Sequence, residues 1–126
     1  MLKRRRDIIE RYDRALKPLG VKVLPHYTDE HESSGHLYIT EIPNITYKQR
    51  GEIITKMAEQ GIACNVHYKP LPMHTAYKEL GFDIKDYPNA YNHFAHEITL
   101  PLHTCLTNEQ VQYVIDNFVD ILREYL

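Results

Sequence analysis

The stretch Ala63–Pro72 constrains the fold of this chain more than any other, because an alternating pattern runs directly into two prolines. Ile62, Cys64 and Val66 share one parity, which is typical of a strand with one buried face. Proline has no backbone N–H to donate to a ladder, and it disfavours helix in the residue before it. The sequence therefore predicts a strand that ends at a stiff loop.

Two polar side chains, those of His67 and Tyr68, lie at the end of this predicted strand. Because consecutive residues of a strand alternate, the pattern predicts that the two side chains point in opposite directions. A polar pair held at a strand end by a stiff loop is a common place for ligand contact, although most such pairs are ordinary surface residues. The pair is a candidate binding site that needs support from the rest of the sequence.

The composition is that of one folded domain. The 126 residues are 43% hydrophobic and 25% charged, a balance typical of globular rather than disordered proteins. The net charge of -2 gives no electrostatic reason to expect a nucleic-acid partner, and no apolar run approaches the length of a membrane span. The two cysteines, Cys64 and Cys105, are too few for a disulfide framework, so we expect a cytoplasmic protein.

Periodic apolar residues and capping signals predict the helices. Thr46 and Thr107 each stand three residues before a glutamine, which is the spacing of a capping box. No comparable cap precedes Leu2 in the first helix, which we interpret as an indication that the natural chain begins further upstream. The predicted helices cover residues 2–17, 46–61, 73–80, 86–95 and 107–122.

Short apolar or β-branched runs that end at proline predict the strands. They cover residues 21–24, 36–42 and 98–101, in addition to the strand ahead of the His-Tyr pair. Together with the helices between them, this order predicts an α+β fold. Its helices should pack on one face of a small, mainly antiparallel sheet.

The eight histidines raise the question of a metal site. His93 and His96 lie three residues apart on a predicted helix, a spacing at which two imidazoles can face one ion. No third ligand can be placed beside them, so exposed helix residues are the better interpretation. Glu79, Asp83 and Asp86 are likewise better explained as helix caps and solvated turns than as a catalytic carboxylate pair.

Several spaced motifs occur in order from about Arg5 to Leu122. They are Arg11-Tyr12, His36-Leu37-Tyr38, Gly61-Ile62, His67-Tyr68-Lys69-Pro70, Tyr77 with Gly81, Tyr87-Pro88-Asn89-Ala90, Ile98-Thr99-Leu100-Pro101-Leu102-His103, and Thr107-Asn108-Glu109-Gln110-Val111 with Val114-Ile115. An ordered set of motifs is more specific than any single one of them. This set resembles the C-terminal part of one family, the PLP-dependent nucleotide-sugar aminotransferases of the DegT/StrS type.

The resemblance implies the architecture of the fold type I PLP-dependent aminotransferases, which have a large N-terminal and a small C-terminal domain. It implies that residues 1–126 form a single C-terminal domain and that residues 1–19 are the end of the helix that joins the two domains. The large domain, which carries the PLP-binding lysine in this family, would be absent from this chain. The family also implies a homodimer, with active sites at the subunit interface.

The activity that the resemblance implies is transfer of an amino group, usually from glutamate, to a keto group of a nucleotide-linked sugar. Pyridoxal phosphate would be the cofactor of the full-length parent. None is expected in this chain alone, which we therefore expect to be inactive. The implied substrate contacts are His67 and Tyr68, with His36 as a weaker match, since imidazole and phenol can both bond sugar hydroxyls or phosphate oxygens.

Two positions depart from the family pattern. Pro72 stands where many members carry a histidine, and Gly35 stands where an aromatic residue often precedes the His-Leu-Tyr strand. Both changes bear on the identity of the sugar. Two other classes of protein stay open at this point, a free-standing small ligand-binding module without catalysis and a small metal protein that uses its histidines.

Overall fold

Five α-helices and three short strands form the fold in a computed structural model that describes residues 1–126. The helices coincide with the five predicted ones, and both predicted capping boxes are present, at Thr46 and Thr107. None of the helices combines the length and the apolar character that a membrane crossing requires. The elements are α1 (Leu2–Leu16), β1 (Lys22–Val23), β2 (Tyr38–Glu41), α2 (Tyr47–Glu59), α3 (Thr75–Glu79), α4 (Pro88–His96), β3 (Glu97–Leu100) and α5 (Asn108–Leu122).

The three strands form one sheet in the order β1-β2-β3. Thr40 in the central strand β2 pairs with Val23 on one side and with Ile98 on the other. Both pairings are antiparallel. The prediction of an α+β fold with a small, mainly antiparallel sheet is confirmed.

The strand predicted ahead of the prolines is reduced to one isolated bridge, so that prediction is wrong. Asn65 pairs with Thr99 at the free edge of β3, through backbone N···O distances of 3.1 and 2.8 Å. The next two backbone N–H groups bond side chains: that of Val66 donates to Asn65 Oδ1 at 2.8 Å, and that of His67 donates to Glu97 Oε2 at 2.9 Å. The Glu97 side chain thus takes the His67 donor that the next rung of the ladder would need.

The hydrophobic core lies between the sheet and helices α1, α2 and α5. Tyr38 and Leu100, which pair across β2 and β3, belong to this core, and Tyr12 of α1 packs on Tyr38 with ring centroids 4.8 Å apart. The prediction that helices pack on one face of the sheet is confirmed. The fully buried side chains also include Ile8, Ile9, Leu16, Ile53, Met57, Ile98, Phe118 and Leu122.

Replacing Thr107 by alanine is expected to destabilise the fold by about 1 kcal/mol, because it removes the N-cap of α5. The Thr107 hydroxyl accepts a hydrogen bond from the backbone N–H of Gln110 at 3.1 Å, and the Gln110 side chain accepts one from the backbone of Thr107 at 2.9 Å. The measurement is the free energy of unfolding in urea.

Thr55→Ala is the matched control for this prediction. Thr55 is exposed inside α2, and its hydroxyl donates to the carbonyl of Gly51 at 3.0 Å. Such a bond adds little to a helix interior, where alanine has the higher propensity, so this substitution should be neutral or slightly stabilising. Equal losses of stability in the two variants would contradict the capping role of Thr107.

Candidate functional site

His67 is held against the free edge of β3 by two hydrogen bonds. Its backbone N–H donates to Glu97 Oε2 at 2.9 Å, and its Nδ1 lies 2.8 Å from Thr99 Oγ1. The imidazole is half-buried, and its other nitrogen, Nε2, remains accessible to solvent. One nitrogen of the ring is therefore fixed to the sheet, and the other is available to a ligand.

The two residues that hold His67 are polar and buried. Glu97 and Thr99 are 0% and 5% exposed, and the Thr99 hydroxyl contacts Glu97 Oε1. Both side chains lie on the face of β3 that is turned away from the core, because Ile98 and Leu100 beside them point into it. Sequence reasoning missed both residues. The alternating order Glu-Ile-Thr-Leu was the available signal, because it places Glu97 and Thr99 together on one polar face of the strand.

The phenol ring of Tyr68 stands edge-on to the imidazole of His67, with ring centroids 4.7 Å apart and an interplanar angle of 88°. The prediction that the two side chains point in opposite directions is therefore wrong. Strand alternation does not apply, because the backbone here belongs to no strand. The peptide bond between the two residues is cis. Tyr68 is 71% exposed, so its ring is open to a ligand.

His36 lies apart from this pair. Tyr38, two residues further along the chain, pairs with Leu100, whereas His67 contacts Glu97 at the opposite end of β3. Each residue of a strand adds about 3.4 Å, so His36 lies about 10 Å or more along the sheet from His67. The structure thus brings His67 and Tyr68 together and leaves His36, whose side chain is exposed, at the other end of the sheet.

Two of the other polar groups singled out in the sequence, those of His93 and Asp83, have partners of their own. His93 Nδ1 lies 2.7 Å from Glu41 Oε1, and the second oxygen of Glu41 lies 3.7 Å from Lys22 Nζ. The Asp83 side chain accepts a hydrogen bond from the backbone N–H of Lys85 at 2.9 Å, as expected of a turn cap. No group of three or more His, Cys, Asp or Glu side chains is placed to hold a metal ion.

An apolar groove of about 410 Å³ opens directly after the His67–Tyr68 pair. Four of its lining side chains keep between 39% and 59% of their surface exposed. These four are Leu71, Tyr77, Phe82 and Tyr87. Apolar surface beside a few fixed polar groups is the usual composition of a ligand site.

Burial, rather than a charged partner, changes the acidity of two groups around the sheet. Burial raises the pKa of the Cys64 thiol to about 12, so this cysteine is a packing residue and not a nucleophile. Burial also lowers the pKa of His26, which is 8% exposed and stacks on Tyr38 with ring centroids 6.0 Å apart. Neither group adds chemistry to the His67–Tyr68 pair.

The lysines of this chain do not fit the Schiff-base lysine of a PLP enzyme. Seven of the eight are exposed, and the eighth, Lys56, lies 2.6 Å from Glu124 Oε2. A lysine that forms a Schiff base is activated by a desolvated pocket or by a neighbouring cation, and neither surrounds Lys56. The residues present therefore provide a polar contact surface and no attachment point for the cofactor.

A three-stranded antiparallel sheet under a helical layer, with a His-Tyr pair at the free edge of β3, defines a domain of the kind found in sugar aminotransferases. The chain belongs to the DegT/DnrJ/EryC1/StrS aminotransferase family, whose sequence profile matches residues 1–119. The resemblance seen in the sequence motifs is confirmed.

Two characterised relatives and one solved structure illustrate the similarity. The spore coat polysaccharide biosynthesis protein SpsC of Bacillus subtilis is 30% identical over 98% of this chain, which covers 32% of SpsC. The dTDP-4-dehydro-2,3,6-trideoxy-D-glucose 4-aminotransferase of Saccharopolyspora spinosa is 32% identical over 99% of this chain, which covers 31% of that enzyme. The chain thus spans about a third of the length of the relatives that it matches.

One solved structure is more similar to this chain in sequence than these two relatives are. Spr1654 of Streptococcus pneumoniae, named as a candidate sugar aminotransferase, superposes in its PMP form on 100% of this chain with a TM-score of 0.96 and 49% sequence identity. The same protein in its PLP form gives a TM-score of 0.95. This chain covers 32% of Spr1654 in both forms.

Proposed function

We propose that this chain acts as the C-terminal, small domain of a PLP-dependent aminotransferase that aminates a keto group of a nucleotide-linked sugar. The observation that carries the proposal is the match of the whole chain to 32% of Spr1654, at 49% identity. In this proposal residues 1–126 are a single domain, and residues 1–19, which include α1, are the end of the helix that leads in from the large domain.

The proposed substrate contacts are His67 and Tyr68. His67 offers an imidazole fixed to the sheet, and Tyr68 offers an exposed phenol beside it. A nucleotide-linked sugar presents hydroxyls, phosphates and flat apolar faces, which imidazole, phenol and an apolar groove can all bind. His36 is proposed as a separate contact, because it lies too far along the sheet to share an atom with the pair.

The remaining parts of the reaction are assigned to the longer protein. There, pyridoxal phosphate would supply the electron sink for the amino transfer, and glutamate is the proposed amino donor. The PLP and PMP forms of Spr1654 support this choice of cofactor. We further propose a homodimer, as the family resemblance implies, and a cytoplasmic location, in keeping with the two cysteines of the chain.

The reading frame upstream of Met1 tests the domain assignment directly. We expect the frame to continue for the length of a large domain and to contain a lysine in a PLP-binding context. A stop codon and a ribosome-binding site directly before Met1 would contradict the proposal. The chain would then be a free-standing ligand-binding module without transaminase activity.

His67→Ala in the full-length protein is expected to raise KM for the nucleotide sugar by about tenfold. That factor corresponds to the loss of one hydrogen bond of about 1.4 kcal/mol. The absorption spectrum of bound PLP should not change, since His67 is assigned to the substrate. His103→Ala is the matched control, because His103 is an exposed histidine beyond β3. Loss of the PLP spectrum with unchanged sugar binding would refute the role of His67.

A further inference from the structure

The direction of each hydrogen bond below His67 follows from the donors around Glu97. Glu97 Oε2 accepts the backbone N–H of His67 at 2.9 Å, and Glu97 Oε1 accepts a hydrogen bond from the hydroxyl of Thr99. Both carboxyl oxygens are thus acceptors in this arrangement, and the single proton of the Thr99 hydroxyl points to Glu97.

That direction determines which imidazole nitrogen carries hydrogen. Thr99 Oγ1 has given its proton to Glu97, so towards His67 Nδ1, at 2.8 Å, it can only accept. Nδ1 must then be the N–H of the ring. In a neutral imidazole one nitrogen is a donor and the other an acceptor, so Nε2 carries a lone pair.

We infer that Glu97 and Thr99 are positioning residues that hold His67 as its Nδ1–H tautomer, so that Nε2 accepts a hydrogen bond from a ligand hydroxyl or N–H group. This inference rests on the proposed function, in which the ligand is a nucleotide-linked sugar, and it deepens that function by naming the part of the ligand that His67 meets. That part is a sugar hydroxyl and not a phosphate oxygen.

The choice between hydroxyl and phosphate follows from electrostatic complementarity. A phosphate oxygen has lone pairs and no proton, so it cannot pair with the Nε2 lone pair of a neutral imidazole, and both groups would be left unpaired, which works against binding. A sugar hydroxyl has a proton to donate. Tyr68, the neighbouring residue, is 71% exposed. Its O–H is the group of the pair that can donate to a phosphate.

The tautomer can be measured without any ligand, by ¹⁵N-detected NMR of the imidazole nitrogens in the whole chain at pH 8, where a free imidazole is neutral. We expect His67 Nδ1 to appear as the protonated nitrogen and Nε2 as the unprotonated one. The reverse assignment would overturn the inference.

Two substitutions at position 99 test the cause of this tautomer. Thr99→Val keeps the shape of the side chain and removes the hydroxyl, so His67 should lose its preference for Nδ1–H, while circular dichroism shows that the fold persists. Thr99→Ser retains the hydroxyl and should keep the wild-type assignment. A Thr99→Val spectrum identical to that of the wild type would overturn the role of Thr99.

The ligand side is tested by titration with two probes, UDP-N-acetylglucosamine and UDP. We expect the Nε2 resonance to move with the sugar nucleotide and not with UDP, because only the former brings sugar hydroxyls. Equal movement with both probes would overturn the assignment to a hydroxyl. This titration is made on the full-length protein, because the proposed function belongs to it. Failure of either probe to bind there would contradict the proposed function, and with it the ligand assignment, while the tautomer itself is decided by the first measurement.

Discussion

Phe118→Ala is expected to lower the free energy of unfolding by about 3–5 kcal/mol, the range for removal of a fully buried phenylalanine. Phe118 is 0% exposed on the buried stripe of α5 and is part of the single core that α1, α2 and the sheet share. Domains of this size are stable by only about 5–15 kcal/mol, so the loss would remove a large part of the total.

Phe82→Ala is the control, because Phe82 is the same residue type with 44% of its surface exposed. Its substitution should cost less than about 1 kcal/mol, as expected for a position outside the core. Both values come from urea unfolding followed by far-ultraviolet circular dichroism. If the two variants were equally stable, the placement of α5 against the sheet would be incorrect.

Arg50→Met is expected to cost about 2–4 kcal/mol, because it leaves buried carbonyl groups without a donor. Arg50 is 5% exposed, and its Nη1 donates to the carbonyl of Phe94 at 2.7 Å and to that of Glu97 at 3.2 Å. Methionine retains most of the apolar stem, so the change removes the guanidinium with its hydrogen bonds and its contacts with the rings of Tyr47 and Phe94, whose centroids lie 5.1 and 4.7 Å from Cζ. These bonds join α2 to the point where α4 ends and β3 begins.

Arg123→Met provides the comparison for Arg50→Met. The Arg123 side chain is 68% exposed and only approaches Asp120, at 3.8 Å, so its loss should change stability by less than about 0.5 kcal/mol. Thermal unfolding of both variants measures the difference. An Arg50→Met variant as stable as the wild type would mean that water replaces the guanidinium without loss of free energy of unfolding.

The helices could be predicted because their signals lie within a few residues of one another. Thr46 and Gln49 form a capping box on their own, whatever the rest of the chain does. The inward face of α2 was less predictable, because the charged residue Arg50 is buried on it. Arg50 is buried because it bonds carbonyls 44 and 47 residues away, and no local pattern contains that information.

The same reason explains why the stretch after Gly61 was only partly predictable. The prediction that alternate residues of this stretch face the interior is correct at its start, since Ile62 is buried and Cys64 is half-buried. The predicted strand does not continue beyond Asn65, because the backbone N–H of His67 donates to the carboxyl group of Glu97, 30 residues further along the chain. His67 and Tyr68 could be singled out from the sequence, but the contact between their rings could not, because it depends on backbone that belongs to no strand. The buried Glu97 and Thr99 required the pairing of distant segments to be known.

The Asn65–Thr99 bridge marks a boundary between backbone amides that should exchange with deuterium slowly and amides that should exchange quickly. The Thr99 N–H donates to the Asn65 carbonyl at 2.8 Å from the middle of a buried strand, so it should exchange only when the sheet opens. The N–H groups of Tyr68 and Lys69, in the loop that follows, donate to no backbone or side-chain acceptor and should exchange early. His67 stands on this boundary, with its imidazole anchored to the slow side. A ligand would therefore meet one polar contact of fixed geometry beside an apolar wall that can adjust to its shape.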